Sequence, residues 1–189
     1  MTEHAASPLT PQQQQELSDA KDRAGSFLGA AKIAAFNGWS VGFFAVVSIL
    51  FGLFSLTSLL IGLGLAVVAR NEFVGRGRLR RLDPSGLELL WRNQLGFMTL
   101  IIVYCAWSMY RAVAVPDPEM TELTDLLGEG TGELLQSLTL TVYATVIVAT
   151  GIFQGLNARY YFQRVARIRD YLRDTPPWVL DLQRSTVIE

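Results

Sequence analysis

Charged residues are missing from three long stretches of this sequence. No Asp, Glu, Lys or Arg occurs within residues 33–69, 93–110 or 134–158. Over the whole chain, charged residues make up only 17%, whereas a soluble domain usually carries about a quarter. Helices of a soluble protein keep a polar, solvated face, so runs of this length favour helices that cross a membrane.

Histidine and cysteine are almost absent. The single cysteine, Cys105, lies in an apolar run and cannot form a disulfide within the chain, and the single histidine, His4, lies in a polar N-terminal stretch. A zinc or haem site built from His and Cys ligands is therefore excluded by composition. The sequence predicts no cofactor.

Catalytic signatures are also lacking. The sequence contains no phosphate-binding glycine loop, nucleophile elbow or zinc-protease helix. The basic segment 75–78 is rich in glycine but lacks the strand and helix that would flank a nucleotide site. An enzyme is the least supported class, and a net charge of −1 gives no reason to expect a nucleic-acid partner. The N-terminus has no apolar core after a basic start, so no signal peptide is expected.

The lengths of the apolar runs predict four transmembrane helices. A bilayer core of about 30 Å requires roughly 20 helical residues, so residues 33–69 are too long for one span and long enough for two. The hydroxyl residues at 55–58 favour a turn there. One long tilted helix is the alternative, but it would put the arginines that follow on the wrong side. The predicted spans are 37–54, 57–74, 93–113 and 134–158.

Segments at both ends of the chain have helical spacing outside the spans. Residues 1–9 look disordered, and Thr10 with Gln13 then forms a capping box at the start of a helix. Its apolar positions predict an amphipathic helix that lies on the inner leaflet. A similar face follows the fourth span, at Phe162, Val165, Ile168 and Leu172. These segments divide the chain into 1–36, 37–162 and 163–189.

The third span has its own start signal. Asp83-Pro84 ends the preceding segment, and Ser85 and Glu88 have the spacing of a capping box. We therefore expect Ser85 to cap the helix that continues into the third span.

Arginines predict which side of the membrane each segment occupies. They concentrate between spans two and three and after span four, whereas the loop 116–133 is acidic. By the positive-inside rule, both termini are cytoplasmic, in a bacterial inner membrane. The basic segments either reflect this bias alone or also bind anionic lipid headgroups. The candidate lipid contacts are Arg76, Arg78, Arg80, Arg81, Arg164, Arg167 and Arg169.

Glu72 is the acid closest to the apolar core of a span. It could carry a proton or bind a cation. However, Glu72 and Arg76 are four residues apart, a spacing that favours an ion pair at the helix surface. The sequence predicts this pair and no acid in the buried part of any span, which argues against a proton-coupled or cation exporter.

Small residues and amides mark the remaining candidate contacts. Gly38 with Gly42, and Gly151 with Gly155, have the small-xxx-small spacing that allows close helix packing, either within one bundle or between copies. Gln154 and Asn157 can hydrogen-bond between helices or line a polar path.

Together these patterns predict an all-α, four-transmembrane-helix bundle with a cytoplasmic amphipathic helix at each end. The expected role is that of a non-catalytic accessory or membrane-organising protein that acts through helix contacts, with a membrane-protein partner or as a homo-oligomer. The alternative is a small homo-oligomeric channel or transporter. Its path would be lined by Asn157, Gln154, Ser40, Ser48 and Thr99. Whether the two helical hairpins form an internal repeat stays open.

Overall fold

A computed structural model describes residues 9–115, 128 and 130–186. Every regular element in these residues is a helix, as expected from the sequence, and four of the helices are long and apolar enough to cross a membrane. The predictions for residues 1–8, for the acids between 116 and 127, for Glu129 and for 187–189 lie outside the described residues. The helices are α1 (Pro11–Phe51), α2 (Leu56–Arg80), α3 (Ser85–Ala114), α4 (Gly130–Asp174) and α5 (Pro177–Ser185).

The first apolar run forms two helices, as its length predicts. Helix α1 ends at Phe51, and the side chain of Ser55 accepts a hydrogen bond from the backbone N–H of Ser58 at the start of α2. The single long helix considered as an alternative is therefore wrong. Helix α1 packs mainly on α2 and helix α3 mainly on α4, while α2 and α3 join the two hairpins.

Helices α1 and α4 are much longer than a bilayer is thick. They contain 41 and 45 residues, or about 60 and 68 Å at 1.5 Å per residue. Helix α1 passes residue 36 and helix α4 passes residue 162 without interruption. Each therefore continues from the apolar region into a protruding segment.

The protruding segments pack on one another. Ala20, Ala24 and Phe27 of α1 are fully or almost fully buried in one cluster with Ile168 and Tyr171 of α4. The rings of Phe27 and Tyr171 meet edge to face at 5.2 Å. The structure thus corrects part of the predicted leaflet contact: most apolar residues of the two faces are covered by protein, whereas Phe162 is exposed.

This cluster defines one end of the bundle. It joins the start of α1, the end of α2, the start of α3 and the end of α4, and it includes Val179 and Leu180 of α5. We call it the arginine-rich end, because the segments that carry most of the arginines converge there. Its exposed or partly exposed arginines include Arg76, Arg78, Arg80, Arg81, Arg92, Arg164, Arg167 and Arg169.

The predicted N-terminal cap of α1 is confirmed, and the predicted cap of α3 is wrong. Thr10 and Gln13 form the predicted capping box of α1. At α3 the N-cap is Pro84 without a side-chain cap, and Ser85 lies inside the helix. Asp83 takes the capping role instead, since its carboxylate accepts hydrogen bonds of 2.9 and 2.8 Å from the Ser85 backbone and hydroxyl. The preceding Leu82 has a left-handed φ of 58°, which closes the turn between α2 and α3.

The apolar part of the bundle is built mainly by three helices. Its core cluster contains Val41 and Ala45 of α1 and Leu65, Val68 and Ala69 of α2, with Phe97 and Leu100 of α3 packed against it. Helix α4 contributes no buried residue between 130 and 157. Exposed apolar side chains surround this region, which we call the apolar belt. Its members include Phe36, Trp39, Phe43, Leu50, Phe54, Leu60, Val67, Val103, Val113, Val148, Phe153 and Phe162.

Candidate functional site: a polar cavity between the four long helices

A partly open cavity of about 230 Å³ lies between α1, α2, α3 and α4. The sparse packing of α4 leaves room for it, since the other three helices form the core at this level. Its lining mixes amides, one hydroxyl and one carboxyl group with apolar side chains. The lining residues are Asn37, Ser40, Val41, Phe44, Val68, Glu72, Gln94, Phe97, Gln154 and Asn157.

Among the described residues, Glu72 is the only acid in this lining, and it is completely buried. Its Oε1 atom accepts hydrogen bonds from the side-chain amides of Asn93 at 2.7 Å and Gln94 at 2.8 Å. The Asn93 amide also donates to the Val68 carbonyl at 3.0 Å, and Asn71 donates to Oδ1 of Asn93 at 3.1 Å. Helix α3 therefore holds the carboxyl group of α2 from two adjacent positions.

The predicted ion pair between Glu72 and Arg76 is wrong. Among the described residues, no ion pair joins Glu72 to Arg76 or to any other base. Asn93 and Gln94 draw the carboxyl group into the bundle, whereas Arg76 stays partly exposed. The expectation that no acid lies deep in a span concerns depth in the membrane and stays a prediction; within the protein, Glu72 has no exposed surface.

Gly38 shows how deep Glu72 lies. A Cβ atom at Gly38 would be 3.2 Å from Cβ of Glu72 and 3.0 Å from the ring of Phe73, so α1 approaches α2 closely at this level. The neighbours of Gly38 on α1, Phe36 and Trp39, are 73% and 72% exposed. Glu72 thus lies at the edge of the apolar belt nearest the arginine-rich end, since Arg70 on the same helix is exposed.

Two acceptor atoms on residues that line the cavity have no hydrogen-bond partner. They are Oε2 of Glu72 and Oε1 of Gln154, and both are buried. Glu72 belongs to α2 and Gln154 to α4, so the two unpartnered oxygen atoms lie on different helices that border the cavity. Buried acceptors without a donor cost free energy, and a ligand that donates hydrogen bonds or carries positive charge would compensate both.

Tyr161 lies next to this site on the arginine-rich side. It is fully buried, and its hydroxyl accepts a hydrogen bond of 3.3 Å from the amide of Asn37. The hydroxyl is also close enough to Glu72 to interact with it electrostatically. Asn37, which lines the cavity, is thereby hydrogen-bonded to the tyrosine that lies beside Glu72.

No protein-family model, curated protein or solved structure matches this chain. The chemistry of the cavity is therefore interpreted from its geometry.

The polar residues named from the sequence divide into two groups. Ser40, Gln154 and Asn157 line the cavity together. Thr99 is exposed and its hydroxyl donates to the Leu95 carbonyl of its own helix, and Ser48 is not part of the lining. The three polar side chains that share the cavity thus lie toward the arginine-rich side of the apolar belt, and a polar path through the bundle stays a prediction.

The two glycine pairs have different surroundings. Gly38 and Gly42 face α2, with a Cβ at Gly42 lying 3.7 Å from Cβ of Ala69. A Cβ at Gly151 or Gly155 would meet nothing within 4 Å. The first pair lies at a contact inside the bundle, whereas the second pair borders open space.

Two of the candidate lipid-binding arginines make contacts within the chain. The guanidinium group of Arg164 lies 3.4 Å from the ring centroid of Tyr160 and donates to the Ser26 carbonyl at 3.2 Å. Arg169 forms an ion pair with Glu88. Headgroup binding stays a prediction for these two and for the remaining candidates, Arg76, Arg78, Arg80, Arg81 and Arg167.

Sequence reasoning missed the partners of Glu72. Asn93 and Gln94 stand at the start of the third predicted span, and both are buried in the structure. A usable signal was present, because Glu72 and Gln94 are almost equally far along the chain from the turn at Leu82 and Asp83. In an antiparallel helix pair with a short connection, such positions face each other.

Proposed function

We propose that this protein is a small membrane transport protein that binds a cation at Glu72. The observation that carries the proposal is the pair of unpartnered acceptor atoms, Oε2 of Glu72 and Oε1 of Gln154, on residues that line one cavity at the edge of the apolar belt. This is the class that the sequence favoured less, and the buried carboxyl group supports it.

The charge of the site favours a cation. A carboxyl group inside a membrane is costly and usually serves ion or proton movement. The Oε1 atom of Glu72 is used for anchoring by Asn93 and Gln94. The Oε2 atom has no hydrogen-bond partner among the described residues, and the nearby hydroxyl of Tyr161 is the protein group with which a proton, an ammonium group or a metal ion would share it.

The polar face of α4 supports transport over a purely structural role. Tyr143, Thr150, Gln154 and Asn157 follow one another at spacings of three, four or seven residues, and all are partly buried. At the contact between α3 and α4, the ring of Tyr104 on α3 meets that of Tyr143 on α4 edge to face, with the ring centroids 6.2 Å apart. Polar side chains in such a row either hydrogen-bond between helices or line a polar path. The path is favoured here because the Oε1 atom of Gln154 has no hydrogen-bond partner among the described residues.

The contact-based role is the second candidate, and the open surroundings of Gly151 and Gly155 favour it. Small residues with space beside them allow a second helix to approach closely. Self-association through α4 would also suit a transporter of only four helices. An accessory role without transport requires a different protein at the same face.

We further propose that the chain lies in a bacterial inner membrane with both termini in the cytoplasm. The arginine-rich end contains the start of α1 and the end of α4, and the positive-inside rule places such an end in the cytoplasm. The exposed Arg78, Arg80 and Arg81 would then meet anionic headgroups. Reporter fusions at residues 1 and 189 test the orientation: cytoplasmic reporters should be active at both ends, and a periplasmic signal at either end would refute it.

Charge movement in proteoliposomes tests the transport proposal. The purified full chain is reconstituted, adsorbed on a solid-supported membrane and exposed to steps of pH, of K⁺ and of alkylammonium salts. We expect at least one of these cations to produce a transient current that Glu72→Gln abolishes. The matched control is Asp19→Asn, which removes an exposed carboxyl group of α1 far from the cavity and should keep the current.

The result can contradict the proposal in two ways. The absence of current for every cation would refute transport, provided that the protein is folded in the liposomes. A current of equal size in the wild type and in Glu72→Gln would refute the role of this carboxyl group.

A further inference from the structure

We infer that the ligand of this cavity is a small organic amine with an apolar body, bound in its ammonium form. The inference rests on the proposed cation site and names its substrate class. The charge of the cavity, its size and the polarity of its lining side chains support this ligand class.

The lining carries one carboxylate, so its charge matches a ligand with one positive charge. Of the residues that the structure describes, Glu72 is the only charged one that lines the cavity. Within the described part of the chain, no three His, Cys, Asp or Glu side chains come together to hold a metal ion. Calcium and magnesium ions bind six or more oxygen ligands, several of them anionic or water. A monovalent ligand fits this site better than a divalent metal ion.

The size of the cavity argues against a bare metal ion of any charge. At about 30 Å³ for each water molecule in the liquid, the 230 Å³ cavity corresponds to about seven or eight waters. A single ion bound at Oε2 of Glu72 would leave most of this volume empty or hydrated. A molecule with several carbon atoms would occupy it.

The walls separate a polar region from an apolar one. Val41, Phe44, Val68 and Phe97 supply apolar surface from three helices. Such surface binds hydrocarbon, and each methylene group buried there contributes about 0.8 kcal/mol. The ring of Phe44 also lines the cavity, and an aromatic face can attract a cation in addition to hydrocarbon.

The polar region suits an ammonium group. A primary ammonium carries three N–H donors and no acceptor. Two acceptors are unpartnered, Oε2 of Glu72 and Oε1 of Gln154, and the hydroxyl of Ser40 or the amide of Asn157 offers a third from the same lining. The donors of the ligand would thus satisfy the atoms that the fold leaves without partners.

A homologous amine series tests the inference in the same proteoliposomes. Methyl-, ethyl-, propyl- and butylammonium chloride are applied at constant pH and ionic strength, with KCl and MgCl₂ as the metal-ion probes. We expect the half-saturating concentration to fall about fourfold for each added methylene group that is buried. K⁺ and Mg²⁺ should give no current that depends on Glu72.

Aromatic variants supply the second measurement. Phe44→Leu should raise the half-saturating concentration of phenethylammonium about three- to fivefold, because a cation–aromatic contact of up to about 1 kcal/mol is lost. The matched control is Phe43→Leu, since Phe43 is the adjacent residue, is 65% exposed and does not line the cavity. Phe97→Leu provides an independent variant on α3 if the α1 variant folds poorly.

The outcomes separate the two proposals. A Glu72-dependent current driven by K⁺, Mg²⁺ or protons but not by amines would overturn the amine inference and leave the transport proposal intact. An amine current that does not change with chain length, or that changes equally in Phe43→Leu and Phe44→Leu, would overturn the apolar binding region. The absence of any Glu72-dependent current would refute both.

Discussion

The side-chain amide of Asn93 donates a hydrogen bond of 2.7 Å to Oε1 of Glu72 across the interface between α2 and α3. The adjacent Gln94 donates a second bond of 2.8 Å to the same oxygen atom. One oxygen of the carboxyl group therefore anchors two helices, and the other has no partner. This division allows the group to bind a ligand without giving up its structural contacts.

The anchoring role predicts that leucine and glutamine at position 72 differ in stability. Glu72→Gln keeps an oxygen acceptor for Asn93 and Gln94, whereas Glu72→Leu leaves both buried donors unsatisfied. Each unsatisfied donor costs about 1–3 kcal/mol, so the leucine variant should unfold at a clearly lower temperature. Thermal unfolding in detergent, followed by tryptophan fluorescence, measures the difference. Equal melting temperatures for the two variants would show that the amides do not depend on this carboxyl group.

The close packing of α2 on α3 predicts a strong effect of one methyl group at Gly86. A Cβ atom there would be 2.7 Å from the carbonyl oxygen of Gly75 and 2.8 Å from the backbone nitrogen of Leu79. Backbone atoms cannot move aside easily, so Gly86→Ala should destabilise the protein by about 1–3 kcal/mol. Gly77→Ala is the control, because nothing lies within 4 Å of its added atom and alanine favours a helix. A Gly86→Ala variant as stable as Gly77→Ala would contradict this helix contact.

The cavity predicts a periodic pattern of thiol reactivity along α4. In a Cys105→Ala background, cysteine at Gln154 or Asn157 should react with a polar thiol reagent added on the side of the arginine-rich end. Cysteine at Ile152 or Leu156 should stay unreactive, since these residues are 56% and 61% exposed on the face of the apolar belt. Labelling in native membranes, read as a mass shift, gives the rates. Uniform inertness at all four positions would mean that the cavity is closed to water.

The buried cluster at the arginine-rich end predicts that this end depends on Phe27. Phe27 is fully buried and contacts the ring of Tyr171, so Phe27→Ala should cost about 3–5 kcal/mol. It should also expose the protruding parts of α1 and α4 to protease. Phe36→Ala, at a position that is 73% exposed on the same helix, should have a small effect in detergent. Similar proteolysis of both variants would indicate that the two protruding segments do not pack together.

The element pattern of this fold could be predicted from the sequence, because bilayer thickness and apolar run length set it. The four apolar helices, the break before Leu56 and the capping box at Thr10 follow from such local rules. The packing of the terminal segments could not be predicted in this way. A face such as Ala20, Ala24 and Phe27 has the same spacing whether it meets lipid or Tyr171 of another helix.

The candidate site shows where local rules fail. The spacing of Glu72 and Arg76 describes one helix, whereas the rotation of α2 against α3 decides which partner the carboxyl group meets. The two amides at positions 93 and 94 outweigh the arginine because they reach Glu72 inside the bundle, where an arginine would have to lose its hydration. Gln154 and Asn157 were found from the sequence, but their proximity to Glu72 depends on contacts between helices.

Labelling of Glu72 by dicyclohexylcarbodiimide tests the central claim most directly. This apolar reagent reaches carboxyl groups from within the membrane, and intact-mass spectrometry of the purified full chain counts the adducts. We predict one adduct in the wild type, none in Glu72→Gln, one in Asp19→Asn, and slower labelling when butylammonium is present. An unlabelled wild type, or an adduct that persists in Glu72→Gln, would contradict a ligand-accessible carboxyl group in this cavity.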